Sequence, residues 1–576
     1  MFRNHSLKRS VPVFVCLILL LSISLSFAQR TGYTKDEFVR RRAALADKAK
    51  EGMVVLFGEA LPQAGAHFRQ DNDFFYLTGV EDLNAVLVMN AKTRETHLFL
   101  PRQTPREEMV GGPNLLKDEK AKEKMGLTNI FDLTYLDEFI SRNMRSFATT
   151  WLRLQPGDTV DNDRGEVALF IGRKNRTHYN DQISLDNHRF QKLKERYPAF
   201  EFRDVTPHLD SLRTIKSAEE IAILKRNGRL SAEAVKQAML ASRPGVFEYE
   251  IEAAAMQVIL KGGARGAAYP PIVGSGPNTC IWHYEKNSRK TEAGDLVLMD
   301  FGADLDQLSM DITRTWPVNG KFTKEQREVY QIVLEVEKAC IEAYKPGVTS
   351  ADVSKHVEEV MKRKGLDARG LRGGLGHYVG LCVHDVGPRG LALQEGMVFA
   401  IEPALYYPEK NIGIRIEDTV LITKDGCEVL TKGVPKEIDE IENFVSAVQP
   451  RKAPKEPDRV AVQHILIAFK GSIPEEKVVR TSEEAQLLAM EIFERAKKGE
   501  DFDALVKKYT DDEYPGIYRM ANIGLEPNKE KKEYSRAGMV RSFGDVSFSL
   551  PAGGVGLAVY DPQRSKYGWH IIKRIE

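Results

Sequence analysis

The sequence predicts a multidomain α+β protein, and three observations support this class. The chain has 576 residues, which is too long for one hydrophobic core, so three or four domains are expected. Short apolar strands alternate with amphipathic helices along most of the chain. Three prolines among charges, in PRKAPKEPDR from Pro450 onward, separate a last stretch that again reads as strand, helix and strand.

Individual elements follow in chain order from periodicity and capping signals. A charged helix is predicted over 36–50, and apolar strands over 53–57, 85–89 and 95–100. Capping-box patterns at 217–220 and 323–326 open two helices, and the second helix carries an apolar face. After the prolines, the pattern predicts a strand over 460–469, a helix over 482–498 and a strand over 568–573.

Composition indicates a soluble globular protein. Hydrophobic residues make up 42% and charged residues 29% of the chain. The net charge of +1 gives no indication of the basic surface that a nucleic-acid-binding protein needs. The four cysteines beyond the N-terminal segment are too sparse for a disulfide framework; they are Cys280, Cys340, Cys382 and Cys427.

The first 28 residues are typical of a secretory signal peptide. Basic residues precede an apolar stretch from Val11 to about Leu25, and Ser26-Phe27-Ala28 offers small residues before a cleavage point. An uncleaved membrane anchor is the alternative, but the stretch is shorter than the ~20 residues that a spanning helix needs. We therefore expect a secreted or periplasmic protein with no stable membrane span after cleavage.

An internal repeat organises the middle of the chain. Pro244-Gly-Val recurs 102 residues later as Pro346-Gly-Val, and the segment 294–300 recurs at the same offset as 396–402. His283 is matched by His384 at an offset of 101. Two related halves are therefore predicted.

Each half contributes two acids at apolar, strand-like runs: Asp300 and Asp311 in the first, Glu402 and Glu417 in the second. Burying an unpaired carboxylate costs on the order of several kcal/mol, so such acids need a partner. With His377, which has no counterpart in the first half, they suit two divalent ions. The alternative, that the acids are solvated surface charges, fits poorly with their repeated placement.

Residues 30–445 resemble aminopeptidase P, a member of the pita-bread metallopeptidase family. The resemblance rests on long stretches that include FRQDNDFFYLTGVE, IVGSGPNTCIWHY, DITRTWPVNGKFT, HYVGLCVHDVG, IEPALYY and GIRIEDTV. It implies a creatinase-like N-terminal domain over 30–206 and a pita-bread catalytic domain over 207–445 with pseudo-two-fold symmetry. A linker over 446–457 would follow.

The resemblance also implies a metal scheme. Asp311 and Glu417 would bridge two divalent ions, Asp300 would bind one ion, and His377 and Glu402 would bind the other. The ions are usually manganese in this family, with zinc and cobalt as alternatives. Two close cations lower the pKa of a water held between them.

Roles in peptide-bond hydrolysis follow from the same resemblance. Glu402 would accept a proton and pass it to the leaving nitrogen. His283 and His384 would stabilise the oxyanion and contact the proline side. Arg415, expected on the same strand face as Glu417, would orient a carboxylate ligand. The family often has a further histidine where this chain has Gly373.

Residues 458–576 resemble a parvulin-type prolyl isomerase. His464 in VQHILI and His570 in YGWHIIK match its paired histidines, and Asp512 matches its central polar residue. Met539 and Phe543 match its proline-pocket residues. The usual glycine-rich stretch after the acid is replaced by YRMANIG. The alternatives are a peptide-binding remnant without activity and, for the histidines, a purely structural role in the core.

Together these features predict an aminopeptidase that removes the first residue of a peptide before proline, with an appended isomerase-like domain. Its partners would be proline-containing peptides and further copies of itself in a homo-oligomer. Two alternatives stay open: a prolidase restricted to Xaa-Pro dipeptides, and an inactive peptidase scaffold that acts as a peptide-binding chaperone.

Overall fold

The computed structural model describes most of the chain and divides it into two compact units, one before residue 450 and one from residue 450 onward. The described residues are 32–60, 67–144, 148–366, 370–371, 376–388, 390–448, 456–474 and 477–576. The predicted signal peptide, Gly373 and residues 449–455 of the predicted linker lie outside these ranges. Among the described residues, no helix is both long and apolar enough to cross a bilayer.

The first unit begins with a six-stranded sheet in the order β4-β3-β2-β1-β5-β6. These strands, β1 to β6, are Met53–Phe57, Val86–Asn90, Thr96–Leu100, Asn129–Asp132, Thr149–Leu152 and Glu201–Asp204. Eight helices accompany them: α1 to α8 are Lys35–Ala49, Asn72–Thr78, Pro105–Gly111, Ala121–Lys124, Leu136–Asn143, Arg164–Lys174, Leu185–Arg196 and Thr206–Thr214.

Both faces of this sheet are covered, which explains why its central strands read as continuous apolar runs. Alternate residues of a strand point to opposite faces. Val54 and Leu56 of β1 accordingly join one hydrophobic cluster, while Met53 and Val55 join another.

In the rest of the first unit, the described residues form twelve short strands and five α-helices. Strands β7 to β18 are Gly266–Ala267, Ile272–Ser275, Leu296–Phe301, Ala303–Leu305, Leu308–Ser309, Ile312–Pro317, His377–Tyr378, Val398–Ile401, Ala404–Tyr407, Ile412–Arg415, Asp418–Ile422 and Cys427–Val429. Helices α9 to α13 are Ala218–Ala241, Glu248–Lys261, Lys324–Ala343, Ser350–Lys364 and Ile438–Val448. Helix α13 thus continues three residues into the segment predicted as a linker.

The predicted repeat appears as two helix pairs, each followed by an antiparallel strand pair. Helices α9 and α10 precede the pair β9–β12, and α11 and α12 precede the pair β14–β17. The capping boxes predicted at Ser217 and Thr323 open α9 and α11. Each Pro-Gly-Val segment lies between the two helices of its pair.

The second unit is a five-stranded sheet, in the order β21-β20-β19-β23-β22, with three helices. Strands β19 to β23 are Arg459–Ile467, Ile517–Ala521, Glu533–Ser535, Val555–Ala558 and Trp569–Arg574; helices α14 to α16 are Ser482–Lys497, Phe502–Tyr509 and Arg541–Ser549. Separate hydrophobic clusters cover its two faces, so this unit has a core of its own.

A glycine fixes the turn from β9 to β10 beside two of the predicted acids. A Cβ on Gly302 would lie 1.6 Å from the backbone oxygen of Met310. Neither backbone segment can yield easily, because Gly302 and Met310 each lie directly between two paired strands. Only glycine fits at this position between Asp300 and Asp311.

We therefore expect Gly302→Ala to lower the free energy of unfolding by about 2 kcal/mol or more, as overpacking against backbone does. Thermal and urea denaturation measure this loss. Gly266→Ala is the matched control, because a Cβ there meets nothing within 4 Å. Equal stability of the two variants would contradict the packing argument.

Candidate functional site

The four acids of the repeat occupy equivalent positions at the ends of the two strand pairs. Asp300 lies near the end of β9, and Asp311 immediately precedes β12. Glu402 directly follows β14, and Glu417 directly precedes β17. The register of the second half pairs Ile401 with Asp418, which brings Glu402 and Glu417 side by side. In the first half Asp300 pairs with Thr313, two residues after Asp311, so these two acids are diagonal neighbours.

His377 brings the two halves of the site together. Its Nε2 lies 3.5 Å from Oδ2 of Asp311 and 3.7 Å from Oε1 of Glu402. Asp311, His377 and Glu417 each offer a ligand atom, and these atoms lie within 4.8 Å of one another. The strand β13 that carries His377 pairs with β14, which places the imidazole beside Glu402.

Asp300 joins the cluster through Tyr269, which sequence reasoning missed. The Tyr269 hydroxyl lies 2.5 Å from an oxygen of Asp300 and 2.5 Å from an oxygen of Asp311. A phenol has one proton, so it donates to one of these carboxylates at a time. Tyr269 stands between β7 and β8, where no local pattern indicates a functional residue.

Arg415 pairs with Asp300, at 2.5 Å from Nη2 to Oδ2. Its Nε donates to the hydroxyl of Thr313 at 3.1 Å, and that hydroxyl donates to Glu417 at 2.6 Å. The expectation that Arg415 and Glu417 share one strand face is wrong, because β16 ends at Arg415 and Glu417 lies in the break before β17. Thr313 was also missed, although it lies two residues after Asp311.

The protein's own groups do not balance the negative charge of this cluster. Burial, followed by the charge of Asp300, raises the pKa of Asp311 well above its usual range. Burial, followed by the charge of Asp311, does the same to Glu417. Burial also lowers the pKa of His377, which favours the neutral imidazole that binds metals. Carboxylate oxygens with one imidazole fit two divalent ions.

The two pocket histidines occupy different surroundings. The His384 ring lies 4.4 Å from that of His377, and its Nδ1 is 3.3 Å from Oε1 of Glu166. Burial disfavours the charged imidazole, but Glu166 outweighs this effect and raises the pKa of His384 to about 9. His283 is exposed, and its charge contributes weakly to lowering the pKa of Glu166, after the larger effect of His384.

A cleft of about 1020 Å³ opens beside the acids. His377, His384 and Glu402 line it together with Glu166 and apolar side chains such as Phe399. The mouth of the cleft is therefore shared by charged and apolar groups, an arrangement typical of ligand sites.

A second site lies in the C-terminal unit, where the structure brings the predicted residues together. His464 on β19 and His570 on β23 have stacked rings 5.4 Å apart, and Nε2 of His464 lies 2.8 Å from Oδ2 of Asp512. His464, Asp512, Met539, Phe543 and His570 all line one cavity of about 320 Å³.

Burial and hydrogen bonding shift the pKa values of Asp512 and His570 in this cavity. The hydrogen bond from His464 holds the pKa of Asp512 well below its usual range. Burial, followed by the charge of His464, lowers the pKa of His570 to about 3. Tyr518, which sequence reasoning missed, donates to Asp512 at 2.7 Å.

The raised pKa of Asp311 predicts how the metal-free protein responds to pH. The folded protein holds this proton more tightly than the unfolded chain, so stability falls as pH rises above the unfolded pKa of about 4. Asp311→Asn removes one of the mutually repelling charges. In the presence of a chelator it should therefore flatten the fall in melting temperature between pH 5 and pH 8.

Mn²⁺ should raise the melting temperature of the wild-type protein at pH 7.5 and have much less effect on Asp311→Asn. Asp439→Asn changes an exposed acid in the same way and serves as the control. A wild-type pH slope in Asp311→Asn, together with full stabilisation by Mn²⁺, would contradict the electrostatic account.

Family models match three segments of the chain. Residues 38–151 match the N-terminal domain of aminopeptidase P, residues 222–424 match metallopeptidase family M24, and residues 446–576 match the PPIC-type peptidyl-prolyl isomerase domain.

Individual relatives agree with these matches. The Xaa-Pro aminopeptidase of Escherichia coli is 36% identical over 461 residues, which cover 72% of this chain and 99% of that protein. The solved structure of aminopeptidase P from E. coli with the inhibitor Pro-Leu has a TM-score of 0.61 at 30% identity, covering 72% of this chain and 99% of that one. Proline aminopeptidase P II from Yersinia pestis has a TM-score of 0.61 at 33% identity, covering 72% and 100%.

The fold, the clustered acids and these relatives lead to one conclusion. This chain belongs to the Xaa-Pro aminopeptidases of metallopeptidase family M24, and it carries a PPIC-type peptidyl-prolyl isomerase domain at its C-terminal end.

Proposed function

We propose that this protein hydrolyses the bond between the first residue of a peptide and a following proline. The observation that carries the proposal is the cluster of three buried acids with the half-buried Glu402 and His377, placed by two related strand pairs. The activity named for its relatives, that of an Xaa-Pro aminopeptidase, supports the same reaction.

In this proposal the five groups hold two divalent ions. Asp311 and Glu417 would contribute to holding both ions, Asp300 would help to hold one, and His377 and Glu402 would help to hold the other. The closeness of His377 to both Asp311 and Glu402 supports this division. Manganese is the proposed metal, because four carboxylates and one imidazole favour hard to borderline ions; zinc and cobalt are the alternatives.

The ions, when bound, polarise a water molecule and the scissile carbonyl. The chain's own groups would then move protons and stabilise charge. Glu402 is half-buried and lines the cleft, so its carboxylate reaches both solvent and peptide. It accepts a proton from the water and passes it to the leaving imino nitrogen.

His384 is the proposed donor to the carbonyl oxygen as negative charge develops there. Its Nδ1 faces the carboxylate of Glu166, which favours the protonated imidazole that can donate to an oxyanion. His283 is proposed to contact the proline side of the substrate. Arg415 keeps Asp300 oriented through their direct ion pair.

The size of the cleft favours an aminopeptidase over a prolidase restricted to dipeptides. Its volume of about 1020 Å³ lies at the upper end of the ~300–1000 Å³ typical of ligand sites, so residues beyond the proline have room. The complete set of five metal-binding groups argues against an inert, chaperone-like scaffold.

A panel of peptides tests the reaction and its specificity. We expect the Mn²⁺-loaded protein to cleave Ala-Pro-Ala and longer Ala-Pro peptides, with kcat/KM for Ala-Ala-Ala lower by roughly 100-fold. A chelator should abolish turnover. Chromatography of the products measures each rate.

Equal rates on Ala-Pro-Ala and Ala-Ala-Ala would refute the proline specificity. Cleavage of Ala-Pro alone, with no longer substrate accepted, would favour the prolidase alternative. Peptide binding without any cleavage would favour the inert scaffold.

Export from the cytoplasm and assembly into a homo-oligomer also belong to the proposal. The basic start, the apolar stretch and Ala28 before Gln29 support a cleaved signal peptide. Sequencing of the mature N-terminus from the native host should begin at Gln29, and retention of residues 1–28 would refute cleavage.

The C-terminal unit is proposed to assist the digestion of proline peptides. An Xaa-Pro bond is cis in ~10–30% of unfolded peptides and isomerises over roughly tens to hundreds of seconds. The peptidase needs the amine, the carbonyl and the ions in one geometry, so a cis fraction would wait for isomerisation. His464, Asp512 and His570 would perform this step, with Met539 and Phe543 holding the proline ring.

A complete time course on Ala-Pro-Ala compares the full chain with a chain that ends after Val448. The full chain should convert the slow, cis-limited phase into the fast phase, and the shortened chain should retain it. Full-length Phe543→Ala, which removes a side chain of the proposed proline pocket that also packs in the core of the C-terminal unit, should behave like the shortened chain. Its melting profile should show that this unit is still folded. Identical phases in all three proteins would contradict an assisting role.

A further inference from the structure

Helix α6 points a carboxylate at a residue of the proposed peptidase site. Glu166 is the third residue of α6, and its two oxygens lie 3.3 and 3.4 Å from Nδ1 of His384. One of these oxygens also accepts the backbone N–H of Asp163 at 2.9 Å, which closes a capping box. The position of Glu166 is thus set by the start of the helix.

Buried ion pairs hold the start of α6 in place. Arg164, the first residue of the helix, donates to Asp73 and to Asp210, each at 2.8 Å. Asp73 is fully buried, and its pKa is held well below the usual range because neighbouring arginines outweigh the effect of burial. The anchor is therefore ionic and charged at neutral pH.

The loop that carries His384 is tied to the same charges. Arg213 donates to Asp73 at 2.8 Å and to Asp385, the residue after His384, at 2.6 Å. Lys216 donates to Asp385 at 3.0 Å. On the other side of His384, a backbone hydrogen bond of 2.8 Å joins the N–H of Val383 to the carbonyl of Val160.

Glu166 and His384 are consequently fixed against one shared framework, although 218 residues separate them in the chain. Glu166 also lies between the segments matched by the two peptidase family models, 38–151 and 222–424.

We infer that Glu166 is a positioning residue for the peptidase reaction: it holds Nδ1–H of His384 and leaves Nε2 available to the substrate. This inference rests on the proposed role of His384. An imidazole presents a defined nitrogen only when the other nitrogen has a fixed partner, and a carboxylate is such a partner.

A structural role as a helix cap is the competing explanation, and one substitution separates the two. Glutamine at the third helical position can complete a capping box as glutamate does. Glu166→Gln therefore keeps the cap and removes the negative charge opposite His384. Glu107→Gln makes the same change in the capping box that opens α3, which is exposed and has no contact with the site.

We expect Glu166→Gln to lower kcat on Ala-Pro-Ala by roughly 10- to 100-fold, the loss typical of outer carboxylate partners of functional histidines. KM should change by less than about twofold, and the melting temperature should match that of Glu107→Gln. The reason is that the charge acts on the transition state through His384 and contributes little to binding or folding.

A double variant tests whether Glu166 acts through His384. In a His384→Ala background, Glu166→Gln should cause no further loss, because their effects are not additive when one residue works through the other. If His384→Ala leaves no measurable turnover, the single variant Glu166→Gln is the test. A lower kcat with a nearly unchanged KM then supports the inference, and an unchanged kcat refutes it.

Three results would overturn the inference. They are wild-type kcat in Glu166→Gln, a loss that multiplies with that of His384→Ala, and a fall in melting temperature that accounts for the lost activity. An active wild-type protein with a fully active Glu166→Gln refutes only this inference. An inactive wild-type protein overturns the proposed function as well.

Discussion

Mutual repulsion among buried carboxylates is the constraint on which the catalytic unit depends. Asp300, Asp311, Glu402 and Glu417 converge around His377, and burial removes the water that would otherwise screen them. Arg415 and the hydroxyls of Tyr269 and Thr313 compensate part of this charge. The pKa of Asp311 and that of Glu417 nevertheless stay well above their usual ranges, so the chain's own groups do not balance the cluster.

The scaffold keeps these repelling groups in place through bonds between its two halves. Buried Arg314 donates to the backbone oxygen of Glu417 at 2.6 Å and to the side chain of Asp418 at 2.7 Å. The hydroxyl of Thr419 donates to the backbone oxygen of Asp311 at 2.7 Å. These bonds hold the main chain at Asp311 and Glu417. Their two carboxylates therefore cannot easily separate to relieve their repulsion, and cations become the favourable solution.

Much of this arrangement was predictable because short sequence patterns indicate it. Apolar runs that end on Asp300 and Glu402 indicate strands with an acid at the tip, and the 102-residue repeat pairs them. His464 and His570 were predicted by resemblance to the paired histidines of parvulin-type isomerases, and the structure places them on adjacent strands. The roles of Tyr269 and Glu166 at the site were not predictable, since each reaches it through contacts distant in sequence. The Asp163–Glu166 pattern indicates only the start of a helix. Arg415 was expected near a carboxylate, but the sequence does not indicate that its strand ends at Arg415, before Glu417.

The acid cluster should hold two divalent ions that the peptidase reaction requires. The decisive measurement is the metal content per chain of dialysed, Mn²⁺-loaded protein, taken together with its turnover on an Ala-Pro peptide. We expect about two ions per chain, and we expect turnover to be lost and regained as they are removed and restored. Full turnover in protein that holds no bound metal would contradict this expectation.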